Sequence, residues 1–146
     1  MGKEHGKLIE LDGWQNSNDY GDLDQLREMI LYKRVKEINE DKVTLENGLV
    51  LTIECSEWDC CAGGEGGFKF DKNNVPLDAV ITDFKIGEPE EVLDDDTIVM
   101  QNTISMFHNQ NKIIEPNAET DEGNGGYYYS VTSLVINGIH FPFVEA

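Results

Sequence analysis

RVKEINEDKVTLENGLVLTIEC, residues 34–55, is the stretch that decides the fold. Apolar and polar residues alternate in RVKEI and again in KVTLE, the two-residue period of a half-buried strand. NED between them marks a turn. Asn47-Gly48 is a strong hairpin dipeptide, because both residues accept the positive φ of a tight β-turn. LVLTIEC then returns as a third strand. Residues 34–55 therefore predict a three-stranded meander that delivers Cys55 to a strand end.

Outward from this meander the pattern is mostly of the same kind. Upstream, DLDQLREMILY places Leu23, Leu26, Met29 and Ile30 at helical spacing. Asp22 can cap that helix, with Gln25 three residues on. One short helix over about residues 22–30 is predicted. Residues 1–20 are polar apart from Leu8, Ile9, Leu11 and Trp14, and read as a loosely ordered segment. Downstream, FKF and AVITDFKI read as strands, and TIVMQNTISMFH reads as a long one. In the long strand Ile98, Met100, Ile104, Met106 and His108 share a face. KIIEP returns after NQN, NAETDEGNGG reads as a polar loop, and YYYSVTSLVI is a strand. Asn137-Gly138 closes a last hairpin onto IHFPF. The expected fold is a single β-rich α+β domain over residues 21–146, with about eight or nine mostly antiparallel strands and one short N-terminal helix. No heptad or fixed-period repeat interrupts it.

Composition bounds the function. Eleven basic residues against 29 acidic ones give a net charge of −18 on 146 residues. Such a field repels nucleic acid and anionic membranes and attracts basic protein surfaces. No apolar run approaches the roughly 18 residues of a membrane helix, and MGKEHGKLIELDG lacks the apolar centre of a signal peptide. A soluble, cytoplasmic protein is expected. Three cysteines, an odd number, do not suit a secreted disulfide framework.

Those cysteines are the densest chemical feature: ECSEWDCCAGGEGG, residues 54–67, holds Cys55, Cys60 and Cys61. Three thiolates and a histidine would suit a structural zinc ion. His108, in phase with an apolar face, and His140, on the last strand, are the candidate fourth ligands. Cys60 and Cys61 can share a metal only if the chain turns there, since neighbours on a strand point to opposite faces. The alternative is three thiols packed as small apolar groups. A nucleophilic cysteine would need an adjacent base, and the acidic surroundings oppose a thiolate. GGEGG lacks the lysine and following helix of a phosphate loop and reads as a flexible loop.

GEPEEVLDDD carries six carboxylates, Glu88, Glu90, Glu91, Asp94, Asp95 and Asp96, without the alternation of a calcium loop. It reads as a solvated acidic turn. With Glu119, Asp121 and Glu122 it supplies carboxylates that could occupy a phosphate-binding groove on a partner. Tyr127 and Tyr129, on one side of a strand, would serve as aromatic anchors beside these acids.

Two short motifs resemble a known family. WDCCA at 58–62 is similar to the D-C-C motif of small phage and prophage proteins of unassigned function. NGGYYYS at 124–130 is similar to that family's N-G-Y-Y-S motif, with one residue inserted. NGLVLTIEC ahead of D-C-C fits as well, and the likeness spans about residues 30–137. The motif carries over to Asp59, Cys60, Cys61, Asn124, Gly126, Tyr128 or Tyr129, and Ser130; Cys55 lies outside it. The resemblance implies a phage origin and action on host machinery, with inhibitors of CRISPR nucleases in or near the family. Such nucleases hold their heteroduplex in positively charged channels, which suits an acidic inhibitor. The expectation is therefore a non-enzymatic anti-CRISPR protein that binds a type II RNA-guided nuclease and blocks DNA or RNA loading. It would bind neither nucleic acid nor membrane directly. A cysteine-dependent small enzyme and a phage virion or assembly component are the alternatives.

Overall fold

The structure, a computed structural model, describes residues 5–11, 18–94, 97–123, 126 and 128–146. Trp14, Asp95, Asp96, Asn124 and Tyr127 lie outside the described residues, as does the side chain of Asp94. Among the described residues, eleven strands in two sheets and one main α-helix build the fold. The strands are β1 (Asp19–Tyr20), β2 (Val35–Ile38), β3 (Val43–Leu45), β4 (Val50–Trp58), β5 (Gly64–Lys69), β6 (Asp83–Ile86), β7 (Glu90–Asp94), β8 (Thr97–His108), β9 (Asn111–Asp121), β10 (Ser130–Ile136) and β11 (Ile139–Glu145). The helix α1 spans Leu23–Ile30. The first sheet runs β1-β11-β10-β4-β3-β2 and the second β5-β9-β8-β6, with β7 also paired to β8. Every pairing is antiparallel except β1 with β11.

The expected β-rich α+β class is what folds, with more strands than the alternation announced. The meander of residues 34–55 forms β2, β3 and the start of β4. Its turn places Asn47 at φ 67° and Gly48 at φ 77°, the conformation that favours this dipeptide. The helix starts where Asp22 accepts a 2.9 Å hydrogen bond from the amide of Gln25. It stops at Leu31, whose backbone is extended. Leu26 and Ile30 are fully buried, and each such side chain stabilises the fold by about 1.5–3 kcal/mol.

One apolar cluster joins the two sheets. Leu51, Leu134, Phe141 and Phe143 of the first sheet meet Phe68, Phe84, Ile104, Met106 and Ile114 of the second. Asn102, buried on β8, ties the layers by donating to the carbonyls of Phe143 at 2.8 Å and Gly87 at 3.0 Å. Of residues 1–20, the described part is attached to this body. Ile9 donates to the Pro142 carbonyl at 2.9 Å. His5 stacks on Phe84 with ring centroids 4.4 Å apart, and its Nε2 lies 2.9 Å from Asp83 Oδ1.

Three segments read as loops are strands. GGEGG becomes β5, because its backbone pairs with β9 from Gly64 to Lys69. Gly64 lies so close to Thr132 Oγ1 and the Glu119 carbonyl that a Cβ there would overlap them. Glycine is thus required by contact between strands, and a reading based on local flexibility missed it. NAETD extends β9 to Asp121, since Ala118 and Thr120 point inward while Glu119 is exposed. Residues 90–94, inside the expected acidic turn, form β7 along β8.

Candidate functional site

The two stretches that carry the family resemblance meet in space. After β4 the chain reverses at Asp59–Ala62, where the Ala62 amide donates to the Asp59 carbonyl at 2.8 Å. Cys60, the first central residue of this turn, has φ 40°, a left-handed conformation that favours glycine, and Cys61 does not share it. Both cysteines are exposed. The chain does turn between Cys60 and Cys61, which a straight strand would not allow.

Residues 120–123 and 128–130 hold this turn. Asp121 Oδ1 accepts from the amides of Gly63 at 3.2 Å and Gly123 at 2.9 Å. The Asp121 amide donates back to the Gly63 carbonyl at 2.9 Å, and the Asp59 amide donates to the Tyr129 carbonyl at 2.9 Å. Buried Ser130 places its Oγ 2.6 Å from the Asp121 carbonyl and 3.2 Å from that of Gly63. Gly123 has φ 72°, and a Cβ there would crowd both the Tyr128 ring and the Cys61–Ala62 backbone. The Tyr128 hydroxyl is pushed above its ordinary range, first by its hydrogen bond to Cys60 and then by the charges of Cys60 and Cys61.

Cys55 belongs to different surroundings. It is half-buried on β4 opposite Thr132, and its Sγ lies 3.5 Å from the Glu57 carbonyl. Burial pushes its thiol up, against the opposing pull of Thr132. His140 Nδ1 lies 2.7 Å from Ser56 Oγ, which in turn lies 2.6 Å from Ser133 Oγ. Cys55 pairs with Thr132, whereas its neighbour Ser56 is skipped in the register with β10 and bonds His140 instead. His108 places Nδ1 2.8 Å from the Val80 carbonyl. Among the described residues no group of three or more His, Cys, Asp or Glu side chains could hold a metal ion. Cys55, His108 and His140, expected as zinc ligands with Cys60 and Cys61, thus each have hydrogen-bond partners of their own away from the Cys60–Cys61 turn.

The acidic residues divide into two kinds. Asp121 spends its carboxylate on backbone amides, and Glu122 is half-buried beside it. Tyr129 donates to Glu145 at 3.0 Å, and burial raises its phenol well above the ordinary range. Glu88, Glu90, Glu91 and Glu119 are exposed. The second sheet then adds a residue that the sequence reading passed over. Glu65 on β5 faces Glu119 on β9, Glu119 faces Gln101 on β8, and Gln101 faces Glu90 on β7. Directly opposed residues share a face, so Glu65, Glu119, Gln101 and Glu90 form one exposed row across four strands. No ion pair among the described residues takes Glu65, Glu90 or Glu119.

An open groove of about 760 Å³ lies over this face, with Glu65, Glu119, Gln101 and Asn117 in its lining and Glu40 and Asp41 at the β2–β3 turn. Glu40 pairs with Lys72, whose hydrogen bond and then charge hold the carboxyl below its usual range. Glu65 sits inside a glycine run, so local sequence offered no strand period to place it on a face.

The chain matches the domain of unknown function DUF7448 over residues 28–135 and belongs to that family. The match contains the Cys60–Cys61 turn, the Asp121 clamp and Ser130 together. No curated protein and no solved structure matches the chain significantly. Among the described residues, no helix is long and apolar enough to cross a membrane.

Proposed function

We propose that this protein is a non-enzymatic binding protein that lays its acidic second sheet on a basic protein surface and keeps nucleic acid from it. The partner that suits this best is a host RNA-guided nuclease of type II, with the chain encoded by a phage and acting in the host cytoplasm as an anti-CRISPR inhibitor. The observation that carries the reading is the row Glu65–Glu119–Gln101–Glu90, three carboxylates on one exposed face that no ion pair among the described residues takes. Carboxylates held in register on a sheet present charge at a fixed spacing to a surface that ordinarily binds phosphates. The net charge of −18 adds long-range attraction that speeds encounter.

The test is capture of the partner from host lysate at low and high salt, with the native chain and with a Glu65→Gln, Glu90→Gln, Glu119→Gln triple variant. The reading expects a basic nucleic-acid-binding protein to be captured at low salt, released at high salt and missed by the variant. Capture indifferent to both salt and variant would sink it.

A further inference from the structure

We propose that Cys60 and Cys61 form a two-thiolate site for a soft monovalent d10 cation, presented to solvent by the Asp59–Ala62 turn. Four observations converge there. Two sulfur donors are adjacent in sequence and both exposed. The turn closed by Ala62 and Asp59 removes the strand geometry that would send the two thiols to opposite faces. Cys60 holds a positive φ, a backbone cost that surrounding contacts must maintain and that tends to be stored at functional positions. The Asp121 carboxylate, bonded to the Gly63 amide just after the turn, and the Tyr129 carbonyl, bonded to the Asp59 amide, supply those contacts.

The donor set selects the ion. Thiolates are soft and favour Cu(I) among biological metals. Fewer than three potential ligands gather at any point among the described residues, so a closed tetrahedral zinc site is not built. A monovalent d10 cation is satisfied by two sulfurs. Binding replaces two S–H bonds by two metal–sulfur bonds and releases two protons to solvent, with no change of oxidation state. The negative field of the chain draws a cation and repels anions. This site lies apart from the acidic row of the second sheet, so its test does not depend on the docking proposal.

The reduced full-length chain is titrated anaerobically with Cu(I) against the chromophoric chelator bicinchoninate. The expected result is one Cu(I) withdrawn per chain, with two of the three cysteines protected from iodoacetamide. Cys60→Ser and Cys61→Ser each weaken binding by about 100-fold, the loss expected when a second tethered ligand is removed. Cys55→Ser leaves the affinity unchanged, and circular dichroism checks that each variant is folded. In denaturing urea the native chain binds at least about tenfold more weakly, because the turn no longer presents both thiols together. Full affinity in either Cys60→Ser or Cys61→Ser, an equal loss in Cys55→Ser, or binding untouched by urea would each overturn the proposal.

Discussion

Asp121 accepts a hydrogen bond from the backbone amide of Gly63, 58 positions earlier, at 3.2 Å. This contact fastens the cysteine turn to the end of β9. The same oxygen also takes the Gly123 amide, so one half-buried carboxylate serves both sides of the site. Hydrogen bonds to a charged acceptor are worth about 1.5–3 kcal/mol in such settings. Asp121→Ala is expected to lower the free energy of unfolding by about that much in urea melts. It should also speed the reaction of Cys60 and Cys61 with a thiol reagent. Stability equal to that of the native chain would show that the clamp is dispensable.

Gly64 and Gly63 provide a paired comparison. A Cβ on Gly64 would strike Thr132 Oγ1 and the Glu119 carbonyl, whereas one on Gly63 meets nothing within 4 Å. Gly64→Ala is expected to cost about 1–3 kcal/mol through overpacking. Gly63→Ala should change stability by less than about 0.5 kcal/mol. Thermal melts of the two variants decide it, and equal midpoints would show that β5 does not approach the other strands this closely.

Charge on the second sheet is expected to trade stability against binding. Glu65 and Glu119 are like charges directly opposite on neighbouring strands, an arrangement that destabilises a pair. Glu65→Lys should therefore raise stability by a few tenths to about 1 kcal/mol at low salt and by less at high salt. The same variant should lose capture of a basic partner. Calorimetric melts at two ionic strengths check the first expectation, and a variant less stable than the native chain would contradict it.

His140 links stability to pH. Burial holds its imidazole below the ordinary value, while the charges of Glu54 and Asp19 pull weakly the other way. Ser56 bonds its Nδ1, and the Tyr20 ring sits edge-on at 5.8 Å. The unfolded chain therefore binds this proton more readily than the folded one. Its contribution is whole above about pH 6.5, the ordinary histidine value, and is lost progressively as pH falls below that toward the depressed folded value. The stability difference between the native chain and His140→Gln is expected to shrink from pH ~8 to pH ~5. A constant difference across that window would show that His140 is not the titrating group.

Much of this protein was legible in its sequence because the relevant physics is local. Alternation in RVKEI and KVTLE, the Asn47-Gly48 and Asn137-Gly138 turns and the Asp22 cap each depend on residues within a few positions of one another. Those signals placed the helix, the meander and the long strand β8 close to their observed bounds. The net charge of −18 also follows from composition alone.

Only the tertiary structure decided what these elements bring together. Gly64 and Gly66 form a strand because β9 supplies hydrogen bonds and leaves no room for side chains, and that partner lies about fifty residues away along the chain. Glu65 joins Glu119 and Glu90 in a row through strand register, which no periodicity within one segment encodes. Cys55, five positions from Cys60, parts from it because β4 continues past one residue and the chain turns at the other. Sequence neighbours set the conformation of each segment, whereas long-range pairing chose which side chains share a site.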